Sequence, residues 1–292
     1  MRAVALKKND AAISPQLICE VRNTHGGLLG LAPSRYNAPF TSAPQRPSLF
    51  MSEKIWYLKR CDLFGRMGDA QLAELERHCR TREFARGTPI YLPADHADGV
   101  LLMATGRAKI CSFNDDGKQA ILAFIEPGEI FGELALLGGS EREEYAEALE
   151  KSTIVLIPRE VMQQVVEDNP QVSLGITRLF GLRRRRIERR LKYLLFRSNR
   201  ERLVHLLVEL AEQYGERTVD GILLKIKLSH QDLASIIGST RETVTVLLGE
   251  MQNEGLLQLG RRKIVLTNVD RLAKSIRVDP PRVPAPSQTA RS

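Results

Sequence analysis

The segment Leu228–Asn268, LSHQDLASIIGSTRETVTVLLGEMQNEGLLQLGRRKIVLTN, contains two short helix patterns separated by a glycine. Ser229 can accept a hydrogen bond at the start of the first helix, with Asp232 three residues later as its capping partner. Gly238 permits the tight turn that joins the two helices of a helix-turn-helix. The apolar face of the first helix comprises Leu233, Ala234, Ile236 and Ile237.

The second helix of this segment predicts the element that enters a DNA groove. Ser239 is predicted to cap it, with Glu242 as the capping partner. Its apolar positions recur at helical spacing and are Val244, Leu247, Leu248 and Met251. The residues GLLQLGRRKIVLTN then predict a hairpin wing with a basic tip. The whole segment therefore predicts a winged helix-turn-helix.

The polar start of the second helix indicates which residues read DNA, because this end of the helix faces base edges. Arg241 can donate two hydrogen bonds to guanine, and Glu242 can accept from N4 of cytosine. We expect Ser239, Thr240 and Thr243 to support or touch phosphates. An ordinary helix start with a capping glutamate is the alternative. The predicted DNA-binding set is Ser229, Gln231, Ser239, Thr240, Arg241, Glu242, Thr243, Thr245, Arg261, Arg262 and Lys263.

A long basic helix is predicted before this region, from about Gln171 to Ser198. Its apolar residues form a heptad seam, which is typical of a dimeric coiled coil. The predicted seam comprises Phe180, Ile187, Leu191 and Leu194. Packing of this face on the chain's own barrel is the alternative, and Arg183 and Arg184 weaken the middle of the seam. Residues 183–202 hold nine arginines and Lys192 against two glutamates, which predicts phosphate contacts or a solvated helix face.

The first half of the chain alternates between apolar and polar residues in short runs. TPIYL, GVLLMATGRAKICSF, QAILAFIEPGEIFGE and STIVLIP are separated by turn residues, as in an antiparallel β jelly roll or barrel. NDDGK, Asn114 to Lys118, predicts a hairpin turn. Gly68 and Asp69 open an amphipathic helix before these runs. The fold class is therefore α+β.

These patterns divide the chain into five parts. The predicted parts are a disordered N-terminal tail (1–50), a β-barrel sensor domain (51–168), a dimerisation helix (169–198), a winged helix-turn-helix domain (199–270) and a disordered C-terminal tail (271–292). Met51 is an alternative start of translation, a hypothesis that the intact mass of the natively expressed protein tests.

Composition narrows the class of protein. The 292 residues carry a net charge of +8, and no apolar run approaches the roughly 20 residues of a membrane helix, so we expect a cytoplasmic protein. Cys19, Cys61, Cys79 and Cys111 are widely spaced, which favours reduced buried thiols. The sequence has no P-loop, no G-x-S-x-G and no H-E-x-x-H, so no enzyme is expected.

The order of barrel, long helix and winged helix-turn-helix resembles the Crp/Fnr family of bacterial transcription regulators over about residues 55–268. GSTRETVTVLLGEM is similar to that family's recognition helix, and FGELALL to its phosphate-binding cassette. The resemblance implies a homodimer on a two-fold symmetric DNA site and contact with RNA polymerase. Arg241 and Glu242 match the family's base-contacting positions. Many members carry another arginine where this chain has Val246, which removes a base or phosphate contact.

The cassette also implies an effector pocket, with Gly132, Glu133, Leu134, Ala135 and Arg142 as candidates. In the family's nucleotide binders, the glutamate holds the ribose and an arginine followed by small residues holds the cyclic phosphate. Arg142 has the spacing of the regulatory subunits of cyclic-AMP-dependent kinases, but carboxylates follow it, and they repel a phosphate.

Further positions argue against cyclic AMP. The bacterial receptor's arginine falls on Glu143, and its adenine-reading Thr-Ser pair falls on Ile187 and Glu188. No cofactor is identified, and a cyclic nucleotide is disfavoured as the effector. A cyclic-AMP-responsive regulator that uses Glu133 and Arg142 is the alternative, as is a cyclic-nucleotide-binding protein whose output is not DNA.

Other effectors need other ligands. An iron–sulfur cluster needs four thiolates, and this chain has no cysteine cluster. His78, Cys79, His96 and Cys111 are candidate axial ligands of a haem, although each is more typical of a structural residue. A different small ligand, or no ligand at all, is the remaining alternative.

Overall fold

The computed structural model describes residues 53–261 and 263–283. The predicted N-terminal tail and the alternative start at Met51 lie outside the described residues.

The region predicted as a sensor, residues 53–168 (the sensor half), contains two antiparallel four-stranded sheets preceded by two helices. The helices are α1 (Glu53–Arg60) and α2 (Asp69–His78). The strands are β1 (Arg80–Phe84), β2 (Pro89–Tyr91), β3 (Gly99–Thr105), β4 (Ala108–Phe113), β5 (Gln119–Ile125), β6 (Ile130–Phe131), β7 (Tyr145–Ala148) and β8 (Ser152–Pro158). Their orders are β1-β8-β3-β6 and β2-β7-β4-β5. The predicted antiparallel jelly roll is confirmed, and the described strands form two sheets rather than one closed barrel.

Strand β3 shows why this half folds as layers. Its residues are buried on both faces. Leu101 and Met103 pack between the two sheets with Phe131. Val100 and Leu102 point the other way, into a cluster that includes residues of the helices. A strand covered on both faces is a continuous apolar run, as GVLLMAT is.

The predicted hairpin and long helix are confirmed. Strands β4 and β5 pair across the turn, where the Gly117 N–H donates to the Asn114 carbonyl. A 3₁₀ helix (Glu133–Leu137) and α3 (Arg159–Asp168) precede α4 (Pro170–Phe196). Pro170 stands at the first turn of α4, where its missing N–H costs no helical hydrogen bond.

The region predicted to bind DNA, residues 199–283 (the DNA-binding half), contains the predicted winged helix-turn-helix. Its elements are α5 (Asn199–Tyr214), β9 (Gly215–Thr218), β10 (Gly221–Leu224), α6 (His230–Ile237), α7 (Arg241–Asn253), β11 (Leu257–Gly260), β12 (Lys263–Leu266) and α8 (Val269–Ser275). Strands β11 and β12 form the predicted hairpin, in a sheet with the order β11-β12-β10-β9. The four apolar residues predicted for the first helix of the pair are all buried.

The C-terminal boundary differs from the expectation that a disordered tail begins at residue 271. Helix α8 continues to Ser275, and Leu272, Ala273 and Ile276 are buried. Val283 is buried as well, and its carbonyl accepts a hydrogen bond from Arg217. The apolar residues recur at helical spacing, so burial of this face stabilises the segment against α5.

The two halves are in contact. Cys111 and Ile121 of the sensor share a hydrophobic cluster with Leu233 of α6. The buried Lys109 Nζ lies 3.3 Å from a Glu147 oxygen and 3.7 Å from an Asp232 oxygen. The sensor hairpin therefore contacts the helix-turn-helix through both apolar and charged groups. In the part of the chain that the structure describes, no helix has the length and apolar character that crossing a membrane requires.

Candidate nucleic-acid interface and sensor pocket

Helices α6 and α7 are held at a tight turn. Gly238 has a φ of 66°, the left-handed conformation that favours glycine, and its N–H donates to the Ala234 carbonyl. Val244, Leu248 and Met251 bury one face of α7. The opposite face of α7 is therefore left to solvent.

The helix caps confirm one expectation and correct another. The Ser229 hydroxyl accepts from the Asp232 N–H, as predicted. Thr240 caps α7, where its hydroxyl accepts from the Thr243 N–H, so the expectation that Ser239 caps this helix is wrong. Ser239 is instead buried next to the turn, and its N–H donates to the Ala234 carbonyl. The shift arises because α7 begins one residue later than the capping-box pattern predicts.

Arg241 and Glu242 occupy the exposed first turn of α7. The pKa of Glu242 is lowered by its own backbone N–H and by the Thr240 hydroxyl, so its carboxylate is charged at neutral pH. A charged carboxylate accepts hydrogen bonds and does not donate them. The start of α7 therefore presents one donor fork and one acceptor side by side.

Several other predicted contact residues already have partners in the chain. The Gln231 side-chain N–H lies 3.4 Å from the Ser235 hydroxyl. The Thr245 hydroxyl donates to the Arg241 carbonyl and lies 2.9 Å from Nδ1 of His230. The sequence did not single out His230, because a partner 15 residues away leaves no local signal.

The wing and the far end of α7 complete this surface. Arg261 and Lys263 are exposed at the hairpin tip, and Arg262 lies outside the described residues. Arg200 of α5 donates to both carboxylate oxygens of Glu254, each at 2.8 Å, and so fixes the loop after α7. No local sequence signal indicates this pair, because its members are 54 residues apart.

The basic run of residues 183–202, which begins on α4 and ends on α5, is occupied largely by contacts within the chain. Seven of its nine arginines have a partner: Arg183 with Glu133, Arg184 with Glu188, Arg189 with Glu209, Arg190 with the Leu122 carbonyl, Arg197 with Glu201, Arg200 with Glu254, and Arg202 with Asn199. These contacts support intrachain pairing over phosphate contact for this run.

The dimer seam predicted on α4 has two different surroundings. Phe180 packs partly against the cluster on the outer face of the sensor sheet. Ile187, Leu191 and Leu194 are exposed, as are Leu195 and Phe196 further along. The second half of α4 therefore carries an apolar face that the described chain leaves open.

The cassette glutamate is buried and paired. Gly132 has a φ of 66° and starts the 3₁₀ helix, in which Leu134 is exposed and Ala135 is buried. Glu133 is 3% exposed, and its Oε1 pairs with Arg183 of α4. Burial lowers the pKa of Arg183. Oε2 of Glu133 has no hydrogen-bond partner among the described residues.

Arg142 is also engaged inside the protein. It is 8% exposed and donates to the Gly132 carbonyl at 2.8 Å and to the Gly99 carbonyl at 2.6 Å. Its guanidinium lies over the Tyr91 ring, 4.8 Å from the centroid. The φ of Gly132 favours glycine, and a Cβ at this position would stand 2.5 Å from Nη1 of Arg142, so a larger residue would have to shift the guanidinium. Arg142 thus ties the cassette to β3.

Carboxylates surround this arginine. Burial lowers the pKa of Arg142, and Asp98, Glu144 and Asp95 oppose that shift by their negative charge. Glu144 accepts from the Tyr91 hydroxyl, and burial raises the pKa of Glu144. A cavity of about 250 Å³ opens beside Arg142, below the roughly 300–1,000 Å³ of usual ligand pockets. This setting disfavours a bound phosphate.

The candidate haem ligands lie in different places. Cys79 belongs to the cluster on the outer sheet face, and Cys111 to the cluster shared with the DNA-binding half. Burial raises the pKa of both thiols to about 12. His78 is exposed beside Glu74, and His96 is exposed with Nε2 3.8 Å from an Asp98 oxygen. The two cysteines belong to different clusters and the two histidines are exposed, so the four candidates do not surround a single haem site.

Comparison with known proteins finds a matching family for each half of the chain. The family described as cyclic nucleotide-binding domain matches residues 81–169, and the Crp-like helix-turn-helix domain matches residues 201–275. The global nitrogen regulator of Nostoc sp. is 31% identical over 185 residues, which cover 63% of this chain and 83% of that protein. The CRP-like cAMP-activated global transcriptional regulator of Mycobacterium tuberculosis is 24% identical over 220 residues, 75% of this chain and 98% of that protein.

A solved structure agrees with these relatives. The structure of FixK2 from Bradyrhizobium japonicum is 25% identical, with a TM-score of 0.59, and the match covers 67% of this chain and 96% of that one. The match extends over nearly the whole of that protein, so the likeness includes both the sensor and the DNA-binding half.

Proposed function

Since this chain belongs to the Crp/Fnr family of DNA-binding transcription regulators, we propose that it binds a two-fold symmetric operator as a homodimer, with Arg241 and Glu242 reading bases. The observation that carries this proposal is the exposed, charged first turn of α7 in a helix-turn-helix. Arginine there matches guanine and glutamate matches cytosine in the major groove. Exposed Arg261 and Lys263 on the wing are suited to the phosphate backbone.

The open apolar face of α4 supports the homodimer. Ile187 and Leu191 are exposed one turn apart, with Leu194 beyond them. An apolar stripe on a long helix is stabilised when the same stripe of a second copy covers it. Such a dimer presents two copies of α7 to one operator. Contact with RNA polymerase is the further partner that family membership suggests.

We also propose that cyclic AMP is not the effector of the sensor pocket. Arg142 donates to two carbonyl groups, and Glu133 pairs with Arg183, so both cassette side chains have partners within the chain. A phosphate would have to displace these contacts beside three carboxylates. Binding of cyclic AMP would therefore cost the charge-assisted hydrogen bonds of Arg142, which weakens the expected affinity.

The test begins with an operator selected by the full-length protein from random DNA duplexes. Arg241→Ala should weaken binding to that operator by about 1–3 kcal/mol and relax the preference at one base pair. Arg80→Ala, which removes the same charge from the exposed start of strand β1 and lies outside the cavity beside Arg142, is the control for long-range electrostatics. Equal affinity of Arg241→Ala and wild type for the operator would contradict the base-reading assignment. The affinity should also fall steeply with salt.

One observation favours a second candidate, a ligand-responsive regulator. Oε2 of Glu133 is buried and has no partner among the described residues, so it can accept a hydrogen bond from a ligand hydroxyl or N–H. Thermal shift and calorimetry with cyclic AMP, cyclic GMP and cyclic di-GMP decide between the candidates. A micromolar response to cyclic AMP that Glu133→Ala abolishes would overturn the proposal that cyclic AMP is not the effector.

A further inference from the structure

Val246 lies at the centre of the outward face of α7. Val244 and Leu248 are fully buried, and Val246 stands two residues from each of them. At roughly 100° per residue, it is turned about 160° from either buried neighbour. Val246 is 60% exposed. Glu242 lies one turn before it on the same side of the helix.

Two carboxylates flank Val246 on this face: Glu242 lies one turn before it, and the exposed Glu250 lies one turn after it, 3.5 Å from Arg200. Val246 has no hydrogen-bonding group, and Gly249 on the next turn has no side chain. A Cβ built at Gly249 meets nothing within 4 Å, so the helix surface there is open and low. Thr245, the neighbour of Val246, has its hydroxyl bonded to the Arg241 carbonyl and close to His230. The helix can therefore approach base edges closely here, but only apolar contact is available at Val246.

Single exposed apolar residues are common on protein surfaces, so the position of Val246 matters more than its exposure. The outward face of the second helix is the one that enters the major groove. Among the four bases, thymine alone presents a methyl group in that groove. We propose that Val246 packs against a thymine methyl group and so specifies an A·T pair next to the pairs read by Arg241 and Glu242. This inference rests on the proposed function.

The experiment replaces thymine by deoxyuridine, which removes the methyl group and keeps the base pair. In the operator selected by the full-length protein, each thymine of one half-site is replaced in turn, symmetrically in both half-sites. Wild type should lose about fourfold in affinity per half-site at one position, the effect of one methyl group withdrawn from an apolar contact. Val246→Ala should bind the thymine operator more weakly and should lose less affinity than wild type on deoxyuridine substitution at that position, because alanine has fewer methyl groups to place against the base.

Two controls separate the possible failures. Val246→Ala should retain the wild-type urea midpoint, since the side chain is exposed and alanine favours a helix. Deoxyuridine outside the half-sites should have no effect on either protein. Equal sensitivity of wild type and Val246→Ala to deoxyuridine, or no sensitive position, would overturn the inference while Arg241-dependent binding upholds the proposed function. Failure to select any operator would overturn the proposed function itself.

Discussion

The sensor pocket and the recognition helix each carry an arginine and a glutamate, in opposite surroundings. Arg142 and Glu133 are buried, and each has a partner from a distant part of the chain. Arg241 and Glu242 are exposed on the first turn of α7. The same residue types therefore serve two purposes. In the pocket their charge holds sheet, cassette and long helix together, whereas on α7 it is presented to solvent.

This difference bears on how a binding residue is recognised. An exposed charged side chain can remain unpaired at little cost in free energy, because water hydrates it. A buried charge loses that hydration and requires a partner within the protein. Residue type and spacing favour Glu133 and Arg142 as ligand residues, whereas their burial and pairing favour a structural role. For Arg241 and Glu242, residue type, position on the helix and exposure all favour a role in binding.

The largest expected effect is on the buried pair between Glu133 and Arg183. Arg183→Met leaves the Glu133 carboxylate buried without its partner, so the free energy of unfolding should fall by about 3 kcal/mol in urea at fixed protein concentration. Arg184→Met is the control, because the Arg184 side chain is 81% exposed and its ion pair with Glu188 is screened by water, so its loss should change the free energy of unfolding much less. Adding Glu133→Met to Arg183→Met should recover part of the loss. Equal costs at positions 183 and 184 would remove the structural role of the pair.

A somewhat smaller effect is expected at Arg142. Arg142→Ala removes the donors to the Gly132 and Gly99 carbonyls, and the unfolding free energy should drop by about 2 kcal/mol. The same substitution at the exposed Arg241 should change it by less than about 0.5 kcal/mol. Urea unfolding of both variants measures the comparison directly. If Arg142→Ala proves as mild as Arg241→Ala, Arg142 is free to serve a ligand.

The smallest expected effect is a pH dependence of stability at the contact between α4 and α5. His205 of α5 stacks on Tyr193 of α4, with ring centroids 4.3 Å apart, and its Nε2 has no partner among the described residues. Burial, followed by the charge of Arg197, lowers the pKa of His205 from its ordinary value. The unfolded chain then binds more protons than the folded one as the pH falls below about 6.5, so acid destabilises the fold there.

His205→Phe keeps an aromatic partner for Tyr193 and removes this titration. The stability of wild type relative to His205→Phe should therefore decrease as the pH is lowered from 7.5 to 5.5, as measured by urea midpoints. A pH-independent difference between the two proteins would show that His205 does not titrate in this range.

The winged helix-turn-helix was predictable because its signals are local. Gly238, the Ser229 cap and the apolar positions of α6 all lie within a few turns of one another, and the structure confirms them. The cap of α7 was misplaced by one residue, since Ser239 and Thr240 carry equivalent hydroxyls in sequence. The expectation of a tail from residue 271 was wrong for the described residues up to 283, because it took no account of Leu272 and Ile276, two apolar residues at helical spacing that are buried.

The contacts of the sensor pocket were not predictable in the same way. The pairing of Arg183 with Glu133 depends on where α4 crosses the cassette, and the Arg142 bond to Gly99 depends on how β3 lies beside it. In the sequence, Arg183 was visible only as a charge that interrupts an apolar seam. Its partner stands in a different element, far away along the chain.

Local signals in the sequence specify the order of the elements, the helix-turn-helix and the residue types at the first turn of α7, because helical periodicity, capping and turn chemistry act over a few residues. Which charged residues are available to a partner depends on the tertiary fold. Burial and pairing join residues that are distant in the chain, so they engage Glu133 and Arg142 inside the sensor and leave Arg241, Glu242 and Val246 facing solvent.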